Sequence, residues 1–123
     1  MQVGSRFVAS TESSAHQAFK NVVVDAAEGA THLTLKELAP VRLIRNKFWE
    51  NLQTAYAQAA SVEDLKELLG RGRAKKGMFE GDLQEGELEI GQVAGNIKDI
   101  KAAAEILNEI WQEFNATISS LNR

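Results

Sequence analysis

Four groups of residues in this chain have the types and spacing to do chemistry, and each has a plainer structural explanation beside it. In "QVGSRF", residues 2–7, a Gly-Ser pair follows an apolar residue and leads toward a helix. Such a turn offers backbone N–H groups and a hydroxyl to an anion, because glycine lets a ligand approach closely. The glycine-punctuated "LGRGRAKKG", residues 69–77, invites a phosphate-loop reading. It fails the spacing test, since Met78 stands where such a loop needs lysine and no strand precedes it as in a dinucleotide fingerprint. A structural or solvated loop is the better expectation. His16 and His32 are the only histidines, and neither has a second histidine or a cysteine at metal-ligand spacing. His16 falls in the first turn of a helix, where a surface or capping role is expected, and neither histidine is assigned catalysis. The carboxylates Glu80, Asp82, Glu85, Glu87 and Glu89 lack the ligand ladder of a calcium loop and read as a solvated acidic loop. No metal site is expected.

The elements that would position these residues follow from periodicity. The opening "MQVGSRFVAS" reads as a β-strand running into a Gly-Ser turn, with no neighbouring strand before it. Its unpaired edges would leave backbone groups unsatisfied, so partners outside this chain are expected. Ala15, Ala18, Phe19, Val22, Val23 and Ala26 have helical spacing, with Ser14 and Gln17 as a capping box and Gly29 as a stop. "THLTL" and "PVRLIR" predict short strands on either side of Pro40. Phe48, Trp49, Leu52, Tyr56 and Ala59 predict a second helix, and Ser61 with Asp64 caps a third that runs through Leu65, Leu68 and Leu69 to Gly70.

Seven of the nine glycines fall between Gly70 and Gly95, so close backbone approach governs that stretch more than side-chain burial does. From Ile97 the apolar residues recur every three or four positions to Leu121, predicting a long terminal helix. Trp49 and Trp111 lie on apolar stripes, which assigns them to core packing or an oligomer seam.

Composition narrows the functional classes. The chain has 123 residues, 44% of them apolar and 25% charged, with a net charge of −3, as expected of one soluble domain with a core. Mild, mixed charge argues against a nucleic-acid partner or a membrane surface. The absence of cysteine excludes disulfides and thiol chemistry and agrees with a cytoplasmic setting. No apolar run approaches the roughly 18 residues of a membrane span. The sequon at Asn115-Ala116-Thr117 therefore carries no weight, because it matters only in a secreted protein.

"QVGSRFVASTESSAHQAFK" resembles the eighth-strand region of the nitronate monooxygenase family, formerly called 2-nitropropane dioxygenases, and of the related flavin-dependent enoyl-acyl-carrier-protein reductase. "PVRLIRNKF", "GRGRAKKGMFEGDLQEGELEIGQVAG" and "AAAEILNEIW" resemble the rest of the C-terminal part of those proteins, so the resemblance covers nearly the whole chain. It implies a mainly α fragment with few short strands, the C-terminal piece of an FMN-binding (β/α)8 TIM barrel. Residues 1–30 would then hold the last barrel strand and the helix after it, and 31–70 short extended segments and two helices. Residues 71–123 would hold the glycine-punctuated loop and C-terminal helices, with barrel strands one to seven absent.

The family's Gln-x-Gly-Thr/Ser motif implies that Gln2, Val3, Gly4 and Ser5 lie at the FMN phosphate, and the Gly91-Gln92 pair implies Gln92 on the substrate side. No catalytic residue is implied here, because the family's histidine would lie upstream of Met1. The implied parent activity is oxidation of alkyl nitronates by dioxygen, with a small-molecule substrate, the isolated chain being inactive and a homo-oligomer open to it. The alternative is NAD(P)H-dependent reduction of an enoyl thioester on the same scaffold. A third reading is a noncatalytic helical interaction module.

Overall fold

Two apolar clusters organise the chain, and they draw on different parts of the sequence. The computed structural model describes residues 2–122. Its elements in order are α1 (Gly4–Val8), α2 (Gln17–Asp25), β1 (Thr31–Thr34), β2 (Val41–Ile44), α3 (Lys47–Ala57), α4 (Val62–Leu69), α5 (Arg73–Met78), a 3-10 turn (Gln92–Asn96) and α6 (Ala103–Leu121). The expected class holds: mainly helical, with two short strands. None of the described helices is long and apolar enough to cross a membrane.

The first cluster joins the two ends of the chain. Ala9, Phe19, Val23 and Ala26 pack with Ile44, Leu88, Ile90, Ala94 and Ile97. The second is local, with Leu35, Leu43, Phe48, Leu52 and Leu65 closing α3 and α4 over the β1–β2 hairpin. β1 and β2 pair antiparallel, Thr31 opposite Ile44 and Thr34 opposite Val41. The connection turns at Leu35, whose φ of 53° is uncommon for a branched residue. The Tyr56 hydroxyl accepts the Leu35 N–H at 3.2 Å and donates to Glu37 at 2.8 Å, which holds this turn to α3.

Several helix boundaries rest on side-chain caps. Asn46 Oδ1 accepts the Trp49 N–H at 2.9 Å at the start of α3, while its Nδ2 donates to the carbonyls of Leu83 and Gly86. Ser61 and Asp64 form the reciprocal capping box expected from their spacing. Ala102 has no polar side chain, so carboxylates cap α6: Glu105 accepts the Ala102 N–H and Glu12 the Ala103 N–H. This helix begins at Ala103, six residues after the predicted start, because Ile97 and Ile100 belong to an extended connection.

Two expectations near the N-terminus need correction. The predicted opening strand is absent among the described residues: Gln2 and Val3 lie outside regular structure and Gly4–Val8 is a short helix. A helix of five residues is too short for a helical or an alternating period to show in its sequence. The cap of α2 is also not Ser14. His16 occupies the N-cap, its Nδ1 accepting the Ala18 N–H at 3.1 Å, and Gln17 donates to Asn21. The helix stops at Asp25, and Gly29, with φ of 74°, serves the turn into β1.

The glycine-rich stretch is held by contact between backbones. A side chain on Gly86 would collide with the Gly77 backbone and the Asp82 carbonyl oxygen. A side chain on Gly77 would come within 3.0 Å of the Glu87 carbonyl oxygen and the Gly86 Cα. Gly86→Ala should therefore lower stability by about 2 to 3 kcal/mol through overpacking that no rotamer relieves. At Gly4 an added Cβ meets nothing within 4 Å, so Gly4→Ala should change it by less than about 1 kcal/mol. Urea midpoints of the two variants compared with the parent chain check the contrast.

Candidate functional site

Residues 86 positions apart meet where α1 faces the 3-10 turn. The Gly91 N–H donates to Ser5 Oγ at 3.0 Å. A Cβ on Gly91 would lie 2.6 Å from that oxygen, so only glycine permits this approach without displacing the serine. The structure thus joins two of the segments singled out from sequence, Gly4-Ser5 and Gly91-Gln92. Gln2 and Val3 lead into this corner, and neither makes a side-chain hydrogen bond among the described residues.

The corner is braced from below. Arg6 donates to the Asp99 backbone carbonyl at 2.9 Å and pairs with the Asp99 carboxylate. Lys101 pairs with Asp99 and Glu109. The hydrogen bond from Lys101 holds the Asp99 carboxyl below its ordinary range, with the charges of Lys101 and Arg6 adding to the effect. Nearby, the buried Lys20 donates to the Ser10 carbonyl at 2.7 Å, and the Thr11 N–H donates to the Lys101 carbonyl at 3.0 Å.

Two open clefts flank the Gly91 segment. One, of about 440 Å³, is lined by Ser5, Val8, Pro40, Val41, Arg42, Glu89, Ile90 and Gly91. The other, of about 500 Å³, includes Gln92 with Thr31, Arg42, Glu28 and Asn96. Gln92 lines the second cleft and not the first, while Arg42 lines both. Sequence reasoning passed over Arg42, whose Nη1 donates to the Thr31 carbonyl and hydroxyl at 3.3 and 3.4 Å. A lone arginine inside a short strand gives no spacing signal.

The acidic run is not the uniformly solvated loop expected. Ile44 donates to Leu88 and Ile90 to Arg42 through the backbone, and Leu43 bridges Glu89. Residues 88–90 thereby lie along β2. Glu87 is only 6% exposed. Burial, with the Glu89 carboxyl beside it, pushes its carboxyl up to about 7, against the opposing pull of Arg73. Glu-Leu-Glu-Ile alternates with period two, a strand signal that was present in the sequence.

The other residues singled out have structural roles. His16 caps α2, and its ring packs against Gly81. His32 Nε2 accepts from Arg45 at 2.7 Å, and its ring centroid lies 5.1 Å from that of Trp49. Burial and the charges of Arg45 and Arg42 keep the His32 pKa low. Among the described residues, no group of three or more histidine, aspartate or glutamate side chains is arranged to hold a metal ion.

A sequence model of the nitronate monooxygenase family matches residues 1–113. The fold is also similar to solved structures of FabK from Thermotoga maritima (TM-score 0.80) and of a mutant of that protein (TM-score 0.78), each 32% identical in sequence. These matches cover 96% of this chain but only 37% and 35% of the FabK chains, so it spans little more than a third of their length.

Two outcomes follow for this site. Ser5→Ala leaves the half-buried Gly91 N–H without its acceptor and should cost about 1 kcal/mol, read as roughly fivefold faster hydrogen exchange at the Gly91 amide, whereas Ser5→Thr keeps the bond. Glu87 releases its proton near pH 7 when folded and near 4.5 when unfolded, so the folded chain binds the extra proton between those values. Its contribution to stability is complete below about pH 4.5 and declines as pH rises to about 7, by up to about 3 kcal/mol. Urea titrations across that window should show Glu87→Gln lacking this part of the slope.

Proposed function

The chain belongs to the nitronate monooxygenase family, and on that premise we propose that it forms the C-terminal part of an FMN-binding (β/α)8 barrel with Gly4 and Ser5 against the FMN phosphate. The observation that carries this reading is the Ser5–Gly91 hydrogen bond. Ser5 Oγ accepts there, and among the described residues its own proton has no acceptor. That proton is free to donate to a phosphate oxygen, a charge-assisted bond stronger than one between neutral groups. The space in front of Gly4 is open to a ligand, since an added Cβ there meets nothing within 4 Å. Gln2 and Val3 form the approach to this lip, and Gln92 lies beyond Gly91 on the substrate side.

These residues fit one edge of a phosphate site and offer no wall for the flavin ring, which in this reading the rest of the barrel supplies. Bound flavin would provide the electron transfer; this chain would bind and orient its phosphate. No residue here is assigned proton transfer. The activity proposed for the complete protein is oxidation of a small alkyl nitronate by dioxygen, in the cytoplasm. The likeness to FabK supports a second reading, NAD(P)H-dependent reduction of an enoyl thioester on the same scaffold. Dioxygen uptake with a nitronate, set against NAD(P)H consumption with an enoyl thioester, separates the two in the complete protein.

Phosphate recognition is tested by fluorescence titration with FMN and riboflavin, which share the ring system but not the phosphate. The isolated chain should barely quench either flavin. In the complete protein Gly4→Val should weaken FMN at least about tenfold, through loss of one charge-assisted bond. It should leave riboflavin nearly unchanged, and Ser5→Thr should retain FMN. Equal weakening of both flavins by Gly4→Val would refute the phosphate assignment.

A further inference from the structure

Glu87 is a buried carboxyl that the candidate site does not use. The residue is 6% exposed, and its backbone is held on two sides. Its N–H donates to the Arg73 carbonyl at 3.0 Å. Its own carbonyl oxygen lies against Gly77, so close that a Cβ there would come within 3.0 Å of it. α5 therefore covers it. Everything that covers Glu87 belongs to this chain, so its surroundings are the same whatever is set against the open faces.

Among the described residues, the charges that act on Glu87 are those of Arg73, on α5, and of Glu89, whose carboxyl lies within hydrogen-bonding reach beside it. Arg73 directs its guanidinium elsewhere, to the carbonyls of Leu68, Leu69 and Glu85 and to the Glu85 carboxylate. Arg42, on β2, lines the same cleft as Glu89 but bonds Thr31. Glu87 and Glu89 are two apart in the segment that lies along β2, so they share a side, while Leu88 and Ile90 enter the first apolar cluster. Two carboxyls in contact, one buried and neither paired with a cation among the described residues, resist ionising together. One proton between them satisfies both, because the protonated carboxyl donates to the ionised one.

We propose that this shared proton latches the segment from Glu87 to Ile90 onto β2, and that its loss frees Gly91 from Ser5. The link is short. Ile90 donates to the Arg42 carbonyl at 3.2 Å, and Gly91, the next residue, donates to Ser5 Oγ at 3.0 Å. A second negative charge needs water, and under the α5 backbone Glu87 reaches it only when the segment moves with it. The Glu87 carboxyl releases its proton near 4.5 when exposed and near 7 in place, so opening gains as pH rises between those values and levels off above. From pH 6 to pH 8 the gain is about tenfold. The latch does not depend on what the cleft binds; it sets the pH range over which the lip that carries Ser5 stays closed.

Amide hydrogen exchange in the 123-residue chain, corrected for the intrinsic effect of pH on exchange, tests this, with circular dichroism confirming that each variant folds. Opening at the Ile90 and Gly91 amides should rise about tenfold from pH 6 to pH 8. Glu87→Gln keeps the shape and removes the charge, so it should show no such rise. Because the opening is local, about 1 M urea should leave exchange at Gly91 nearly unchanged while speeding it at Leu52, buried in the second cluster. The side chains give a second reading by carbon NMR. The Glu87 carboxyl carbon should titrate near pH 7, and Glu89→Gln, which sets an amide donor beside it, should move that midpoint down. Exchange at Gly91 that is flat with pH, rises equally in Glu87→Gln or follows urea as Leu52 does would overturn the latch. A Glu87 carboxyl that titrates near 4.5 would overturn the shared proton.

Discussion

The arrangement of this chain depends on two backbones meeting at Gly77 and Gly86 with no side chain between them. That contact sets α5 directly against the segment that follows it. Arg73 reinforces it from one side. Its guanidinium donates to the carbonyls of Leu68, Leu69 and Glu85 at 2.7 to 2.8 Å and lies 4.3 Å from the centre of the Phe48 ring. One side chain thus closes the end of α4, holds the acidic segment and covers the second apolar cluster. Arg73 thus gives a structural role to the "LGRGRAKKG" stretch, whose spacing already failed the phosphate-loop test.

From this contact the chain is delivered in a fixed direction. Leu88 and Ile90 enter the first apolar cluster alongside β2, and Gly91 arrives opposite Ser5. The N-terminal segment is then held by several polar ties to residues near 100. Arg6 to Asp99, Thr11 to Lys101 and Glu12 to Ala103 all cross the same gap. Most are exposed, where a single ion pair contributes little, but together they fix one orientation of α1. The buried Lys20 ammonium, donating to the Ser10 carbonyl, ties α2 to the segment that bridges to Lys101.

Elements specified by local chemistry were legible in the sequence. The Ser61–Asp64 box, the stripe of α3 and the pair of strands around Pro40 each depend on neighbours a few residues apart. The first ten residues were not, because a five-residue helix offers too few positions for either period to declare itself. His16 displaced Ser14 as the cap of α2 because Met78 accepts the His16 N–H at 2.7 Å, a contact made 62 positions away. Glu87 was misplaced for a related reason. Its neighbours suggested solvent, while burial beside β2 is decided by where Gly77 and Gly86 put the chain. At the candidate site, the resemblance singled out Gly4-Ser5 and Gly91-Gln92 separately; that Ser5 bonds Gly91 became visible only in the folded chain.

In the proposed site, Ser5 would satisfy a structural and a binding requirement together. A hydroxyl has one proton to give and two lone pairs to receive. The Gly91 N–H takes one lone pair, which orients the oxygen and positions the 3-10 turn, and leaves the proton available. Threonine retains both functions, while alanine would lose both. Glycine at 91 is required for a different reason, because a Cβ there would push the serine oxygen away. The two residues therefore constrain each other: the close approach needs glycine on one side, and the hydroxyl gives that approach a bond. A phosphate placed at Gly4 would meet a donor whose orientation the fold has already fixed, so little ordering of Ser5 would be required on binding.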